Sequence, residues 1–307
     1  MDEFELIRRY FVREDAVRGV ITGIGDDGAV LQPEPGHELI VVIDTLVAGV
    51  HFPDDIGAAD LGYRAVAVNL SDVAAMGGCP RWMTLALTLP EVDEQWLAGF
   101  AQGLHAAGAA HNVALVGGDM TRGDQLVVSV QLTAEITAGQ AVLRSGANVG
   151  DTIYVTGTVG DAAAGLELLQ SGRPDDFLSG RFLRPAARVE FGQSLCGVAS
   201  AAIDLSDGLF GDLQKLLTAS GVGGELDLQK LPISDALHTL FDAEAQRRFA
   251  LSGGDDYELC FTSSVDLAQT GDLQVTAIGR VTDGSKLICI DQSGVVDYAD
   301  SGYRHFQ

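Results

Sequence analysis

Leu39-Ile40-Val41-Val42-Ile43-Asp44-Thr45 places five consecutive apolar residues, four of them β-branched, directly before a carboxylate. A run this short and this rich in branched side chains is strand sequence, and it reads as a buried strand ending at Asp44. Further along, residues 83–89 alternate as a second strand, 126–136 form a longer one, and 113–116 a short one. Between them, 60–76 and 93–110 have helical length and alanine-rich faces, with Pro90 before the second helix and glycines near its end. The order β-α-β-α-β-β predicts an α/β domain whose sheet is covered by helices on one face and needs a partner on the other.

The polar, glycine-bearing stretch Arg144-Ser145-Gly146-Ala147-Asn148-Val149-Gly150-Asp151 separates this pattern from a fresh strand at 152–156, so the expected domains are 1–147 and 148–307. The second part reads as another α/β unit. Its expected helices lie near 161–169, 187–198 and 209–219, and its strands near 225–228, 257–261, 276–281 and 287–290. Gln292-Ser293-Gly294 supplies a hairpin turn.

At 307 residues the chain can bury a substantial core. Its 19 Lys and Arg against 43 Asp and Glu give a formal charge of -24, which argues against nucleic acid or an anionic membrane as the main partner. The acidic start, the lack of a membrane-length apolar run, and four cysteines without metal-ligand spacing (Cys79, Cys196, Cys260, Cys289) fit a soluble protein of the cytoplasm.

Acidic residues recur where elements meet. Gly23-Ile24-Gly25-Asp26-Asp27-Gly28 is a flexible loop whose carboxylates could reach magnesium while glycines admit phosphate, or an ordinary acidic turn. Asp44 sits where α/β active sites assemble, with turn or helix capping as its structural alternative. Asn69 and Asp72 share a helix face. Gly117-Gly118-Asp119 repeats the strand, glycine and acid pattern. In Ile203-Asp204-Leu205-Ser206-Asp207-Gly208, the acids and Ser206 could serve metal and phosphate or cap the following helix. Such like charges repel unless cations compensate them, and hard magnesium suits an oxygen-only set. Arg122 and Arg144 are alternative phosphate contacts or surface ion-pair partners. His51 follows the first strand, Asp255 lies in Ser252-Gly253-Gly254-Asp255-Asp256-Tyr257-Glu258-Leu259, and Tyr303 could cover a ring or simply pack. No Walker-type phosphate loop or protein-kinase signature is present.

Taken in order, 23–31, 44–52, 67–77, 117–123, 143–147, 203–209 and 252–261 resemble the characteristic segments of the thiamine-monophosphate kinases, within the aminoimidazole ribonucleotide synthetase-like superfamily. The resemblance spans nearly the whole chain. It implies two α/β domains of the aminoimidazole ribonucleotide synthetase fold and direct transfer of the ATP terminal phosphoryl group to thiamine monophosphate. It further implies a homodimer paired through the amino-terminal sheets, and a carboxy-terminal domain that completes the active site. Asp27, Asp44, Asp72, Asp119, Asp204 and Asp207 match magnesium-site aspartates, with Asp26 a neighbour. Gly118, Arg144 and Ser206 match ATP-binding positions, with Asp119 beside them. His51, Asp255 and Tyr303 are the substrate-contact positions, Asp255 standing where the family usually has Glu. Another ATP-dependent synthetase of the superfamily, or a metal-dependent nucleotide sensor, are the competing readings.

Overall fold

The computed structural model describes residues 3–13, 18–267, 273–296 and 298. It divides into two compact units, 1–73 with 78–139, and 74–77 with 140–307.

In the first, α1 (Glu3–Tyr10), β1 (Val20–Thr22) and β2 (Val30–Leu31) precede β3 (His37–Val47), α2 (Ala58–Ala75), β4 (Cys79–Leu89), α3 (Glu94–Ala110), β5 (Ala114–Arg122) and β6 (Val127–Thr137). The main sheet has the order β3-β6-β4-β5, antiparallel except for β4 beside β5. The α3 helix starts on Asp93, whose carboxylate accepts from the Gln95 and Trp96 amides at 2.8 and 3.2 Å. It packs on α2 closely enough that a Cβ on Gly103 would lie 1.8 Å from the Ala59 carbonyl oxygen. Gly103→Ala is therefore expected to push the two helices apart and to cost about 1–3 kcal/mol of stability, read as a lowered urea midpoint with an unchanged slope.

The β3 strand is not buried on both sides as its sequence suggests. Ile40 and Leu46 are buried, whereas Leu39, Val41 and Ile43 are 49%, 64% and 65% exposed. Strand alternation puts the second set on the face opposite the first. Asp44 and Asp119 are likewise not at strand ends. They lie inside β3 and β5, which run on to Val47 and Arg122.

The second unit contains β7 (Thr152–Thr156), α4 (Asp161–Gln170), α5 (Asp176–Leu183), α6 (Val189–Ser194), β8 (Ala201–Asp204), α7 (Leu209–Ser220), β9 (Gly223–Asp227), α8 (Asp235–Leu240), α9 (Ala243–Ser252), β10 (Leu259–Ser263), β11 (Val275–Thr282), β12 (Leu287–Asp291) and β13 (Gly294–Val296). Its sheet has the order β13-β12-β9-β11-β7-β10-β8. Ile153, Val155, Ile203, Cys260 and Ile278 from the strands join Leu209, Leu213, Leu216 and Leu217 of α7 in one core. The helix expected over 187–198 contracts to α6. The strand expected from Tyr257 starts two residues later, because Asp255 and Tyr257 have φ of 72° and 50° and cannot continue a strand. The Gln292-Ser293 turn does join a hairpin, with Asp291 opposite Gly294. Among the described residues, no helix is long and apolar enough to cross a membrane.

Candidate active site

In the first unit, Asp26 and Asp27 are exposed between β1 and β2, and the Asp27 amide donates to Asp26 Oδ1 at 2.8 Å. Local acidic-turn chemistry therefore occupies one Asp26 oxygen. Asp44 shares a cross-strand row with Val130, Leu85 and Gly118, while Asp119 lies one row further along with Ala86 and Ser129. Buried Val130 and Leu85 mark the Asp44 row as the covered face, and exposed Ala86 marks the Asp119 row as the open one. Two strands also intervene between the two aspartates. A shift in the β4–β5 register leaves Val116 unpaired between Leu115 and Gly117, a bulge that re-aims the remainder of β5. Just beyond it, Gly118 has φ of 154°, and a Cβ there would fall 2.0 Å from the Leu85 carbonyl oxygen, so the backbone of β5 requires glycine at this position.

On α2, buried Asn69 donates from Nδ2 to the Ala65 carbonyl at 3.0 Å, and its Oδ1 has no partner among the described residues. Asp72, three residues on, is half-buried. His51 accepts the Val47 amide on Nδ1 at 3.0 Å, which places the proton of the neutral ring on Nε2.

In the second unit, β8 ends on buried Asp204, opposite Leu259. The next residues are held from below: buried Asp212 on α7 accepts from the amides of Ser206 and Asp207 at 3.0 and 2.9 Å. Lys215 bridges Asp212 and Asp207 at 2.8 and 2.5 Å. Burial pushes the Asp212 carboxyl above its ordinary range, against the pull of Lys215. Burial pulls the Lys215 ammonium down, but the two carboxylates outweigh it and leave it above its usual value. From the other side, the Asp255 amide donates to the Ser206 carbonyl and the Tyr257 amide to the Leu205 carbonyl, both at 2.9 Å. Ser206, Asp207 and Asp255 are thereby brought together. Arg144 is exposed, and its turn is fixed by the Ser220 hydroxyl, which donates to the Arg144 carbonyl and accepts from the Gly146 and Ala147 amides, each at 3.1 Å. Tyr303 lies outside the described residues.

Behind the Asp255 loop is a buried polar network that sequence reading does not find. Glu258, fully buried, accepts from Arg181 Nη2 at 2.7 Å, from Arg188 Nη2 and Nε at 2.5 and 2.7 Å, and from the Thr156 hydroxyl at 2.6 Å. Asp256 accepts the amides of Gly160 and Ala162 at the start of α4, at 2.6 and 3.2 Å. Burial pushes its carboxyl up to about 8, with the Gly160 amide and Arg181 acting in the opposite direction. Two non-glycine residues in the left-handed region cost about 1–3 kcal/mol each, and this surrounding network is what holds them there.

Among the described residues, no three His, Cys, Asp or Glu side chains come together as a ready-made metal cluster. Magnesium keeps several waters and binds through one or two carboxylates together with substrate phosphates. The donors available in both units are carboxylate oxygens, and the four cysteines are free thiols.

The two units correspond to known domains: residues 25–136 match the AIR synthase related protein, N-terminal domain, and 148–292 the AIR synthase related protein, C-terminal domain. The chain is thus a two-domain AIR synthase related protein. It is 49% identical to the thiamine-monophosphate kinase of Salmonella typhimurium over 320 residues, covering 99% of this chain and 98% of that protein. Among solved structures, the thiamine-monophosphate kinase of Stenotrophomonas maltophilia K279a superposes with a TM-score of 0.84 at 45% identity, over 89% of this chain and 91% of that one. AaThiL complexed with AMPPCP and TMP gives a TM-score of 0.82 at 34% identity, over 92% of each chain. The chain belongs to the thiamine-monophosphate kinase family.

Proposed function

We infer that this chain catalyses ATP-dependent phosphorylation of thiamine monophosphate to thiamine diphosphate, with release of ADP. The observation that carries the reading is family membership across both domains, at 49% identity over 99% of the chain. A relative that holds AMPPCP, a nucleotide whose terminal phosphoryl group cannot be transferred through its carbon bridge, together with TMP supports direct transfer between two bound substrates.

The acceptor is a phosphate oxygen that is already anionic at neutral pH, so the protein needs no strong general base. Its tasks are to position donor and acceptor in line and to balance charge. Asp27, Asp44, Asp72, Asp119, Asp204 and Asp207, with Asp26 nearby, are proposed to hold magnesium from separate positions rather than as one cluster, Asp44 and Asp119 lying on opposite faces of the sheet; when bound, magnesium would neutralise phosphate charge and stabilise the charge redistributed during transfer. Gly118, Arg144 and Ser206 are assigned to ATP. Gly118 is fixed by the close pass of β5 against Leu85, Arg144 offers an exposed guanidinium, and Ser206 stands on a loop fixed by Asp212. His51 and Asp255 are assigned to thiamine monophosphate.

We further propose that the protein is a homodimer joined through the amino-terminal sheets. The support is the apolar row Leu39, Val41 and Ile43, exposed on the face of β3 opposite the core. Sedimentation velocity should show a dimer, and Val41→Glu should shift it toward monomer. A fully active wild-type monomer would contradict the proposal.

The activity is tested by incubating the protein with magnesium-ATP and thiamine monophosphate, free thiamine or an aminoimidazole ribonucleotide in turn, resolving products by mass spectrometry. Thiamine diphosphate formed only from the monophosphate, in step with ADP, is the expected result. Turnover of the ribonucleotide instead would overturn the reading.

A further inference from the structure

We propose that Tyr257 is a positioning residue that orients the Asp255 carboxylate for recognition of the acceptor, with Arg181 holding the turn from which both side chains project. The proposal rests on the assignment of Asp255 to the acceptor and adds the machinery that aims it. Tyr257 is 8% exposed, and its hydroxyl donates to Asp255 Oδ1 at 3.1 Å. A side chain can turn back to the residue two before it because the backbone is left-handed at both positions, with φ of 72° at Asp255 and 50° at Tyr257.

That turn is fixed on every side by groups distant in sequence. The Asp255 and Tyr257 amides are tied to the Ser206 and Leu205 carbonyls, and the Asp256 side chain between them is anchored at the start of α4. Arg181 Nη2, on α5, donates both to the Asp256 carbonyl at 3.2 Å and to Glu258 Oε1 at 2.7 Å, bracketing Tyr257. The backbone that carries the phenol therefore cannot shift without dismantling bonds on both flanks. An anion so fixed beside Ser206 is preorganised for a cationic group on the acceptor, and a preorganised charge loses less on binding than one that must be ordered.

The test compares Tyr257→Phe, Asp255→Asn and the double variant, because deleting only a hydroxyl keeps the aromatic packing. Loss of one hydrogen bond to a charged group should raise KM for thiamine monophosphate about tenfold and weaken its calorimetric Kd in parallel, with KM for ATP and kcat changed less than about twofold. In the Asp255→Asn background the Phe substitution should add less than about twofold, since it acts through the missing carboxylate. If Asp255→Asn weakens the acceptor but Tyr257→Phe does not, or if the two effects multiply, the positioning role is overturned while the Asp255 assignment stands. If Asp255→Asn leaves acceptor affinity unchanged, the assignment and the proposal fall together. Should Tyr257→Phe alter the far-UV spectrum, Arg181→Lys against Arg181→Gln repeats the comparison, the lysine retaining acceptor affinity and the glutamine losing it. Equal behaviour of the two would overturn the role.

Discussion

Asp72→Asn is expected to lower kcat/KM for magnesium-ATP by about 10³-fold while leaving the protein folded. Asn preserves the size of the side chain and one oxygen, so the packing of half-buried Asp72 on α2 changes little. What is removed is the full negative charge that the proposed site assigns to a divalent ion. Even outer-shell partners of a metal typically change affinity or activity by about 10–100-fold, and a direct ligand should exceed that. Two measurements separate the ligand role from a structural one. Thermal stabilisation of the nucleotide-bound protein by added magnesium should require much higher metal in the variant, whereas the midpoint without metal or nucleotide should stay within about 1 kcal/mol of the parent. Partial recovery of turnover at high magnesium is also expected, because the loss is first one of affinity. Normal turnover with unchanged magnesium dependence would remove Asp72 from the site.

The candidate site could be proposed from the sequence because its residues lie in short acidic segments with distinctive neighbours. The run 39–43 gives a strand on composition alone, and Asp44 comes with it. One-sided burial came from the element order, which leaves one sheet face for a partner, and not from the run itself, since a strand apolar on both faces looks the same whether its second face meets protein or solvent. Asp119 shows a different limit. Its place in the order was legible, but the bulge at Val116 is set by pairing with β4, and pairing decides the face on which Asp119 falls. Short α8 and α9 were missed even though Ser234 and Asp242 cap them through the Leu237 and Ala245 amides, because their apolar period is too brief to stand out. The network around Glu258 had no sequence signal: Thr156 is 102 residues away, and Arg181 and Arg188 lie 77 and 70 away.

That network gives the largest expected effect on stability. Glu258→Gln should destabilise the second unit by about 3–5 kcal/mol, the usual cost of breaking a buried ion pair by removing one partner. The parent carboxylate satisfies four donors, three of them on guanidinium groups with side chains only 11% and 22% exposed. Glutamine offers one oxygen, and its amide nitrogen presents donor hydrogens to donors. Arg181 and Arg188 would then keep their charges in a site too enclosed for water to compensate. Glu258 is also a backbone link, its carbonyl accepting from Leu205 at 2.9 Å, so loosening it should slacken the loop that carries Ser206 as well as the turn that carries Asp255. Both tryptophans, Trp82 and Trp96, lie in the first unit. Urea unfolding followed by far-UV circular dichroism should therefore shift to lower denaturant in the variant, with the tryptophan fluorescence transition moving less. Replacing the whole set, as Arg181→Met, Arg188→Met and Glu258→Leu together, should recover part of the loss, because desolvation of the charges disappears along with their attraction. An unfolding midpoint for Glu258→Gln equal to that of the parent would mean that the two guanidinium groups find other acceptors and that Glu258 does not hold the loop.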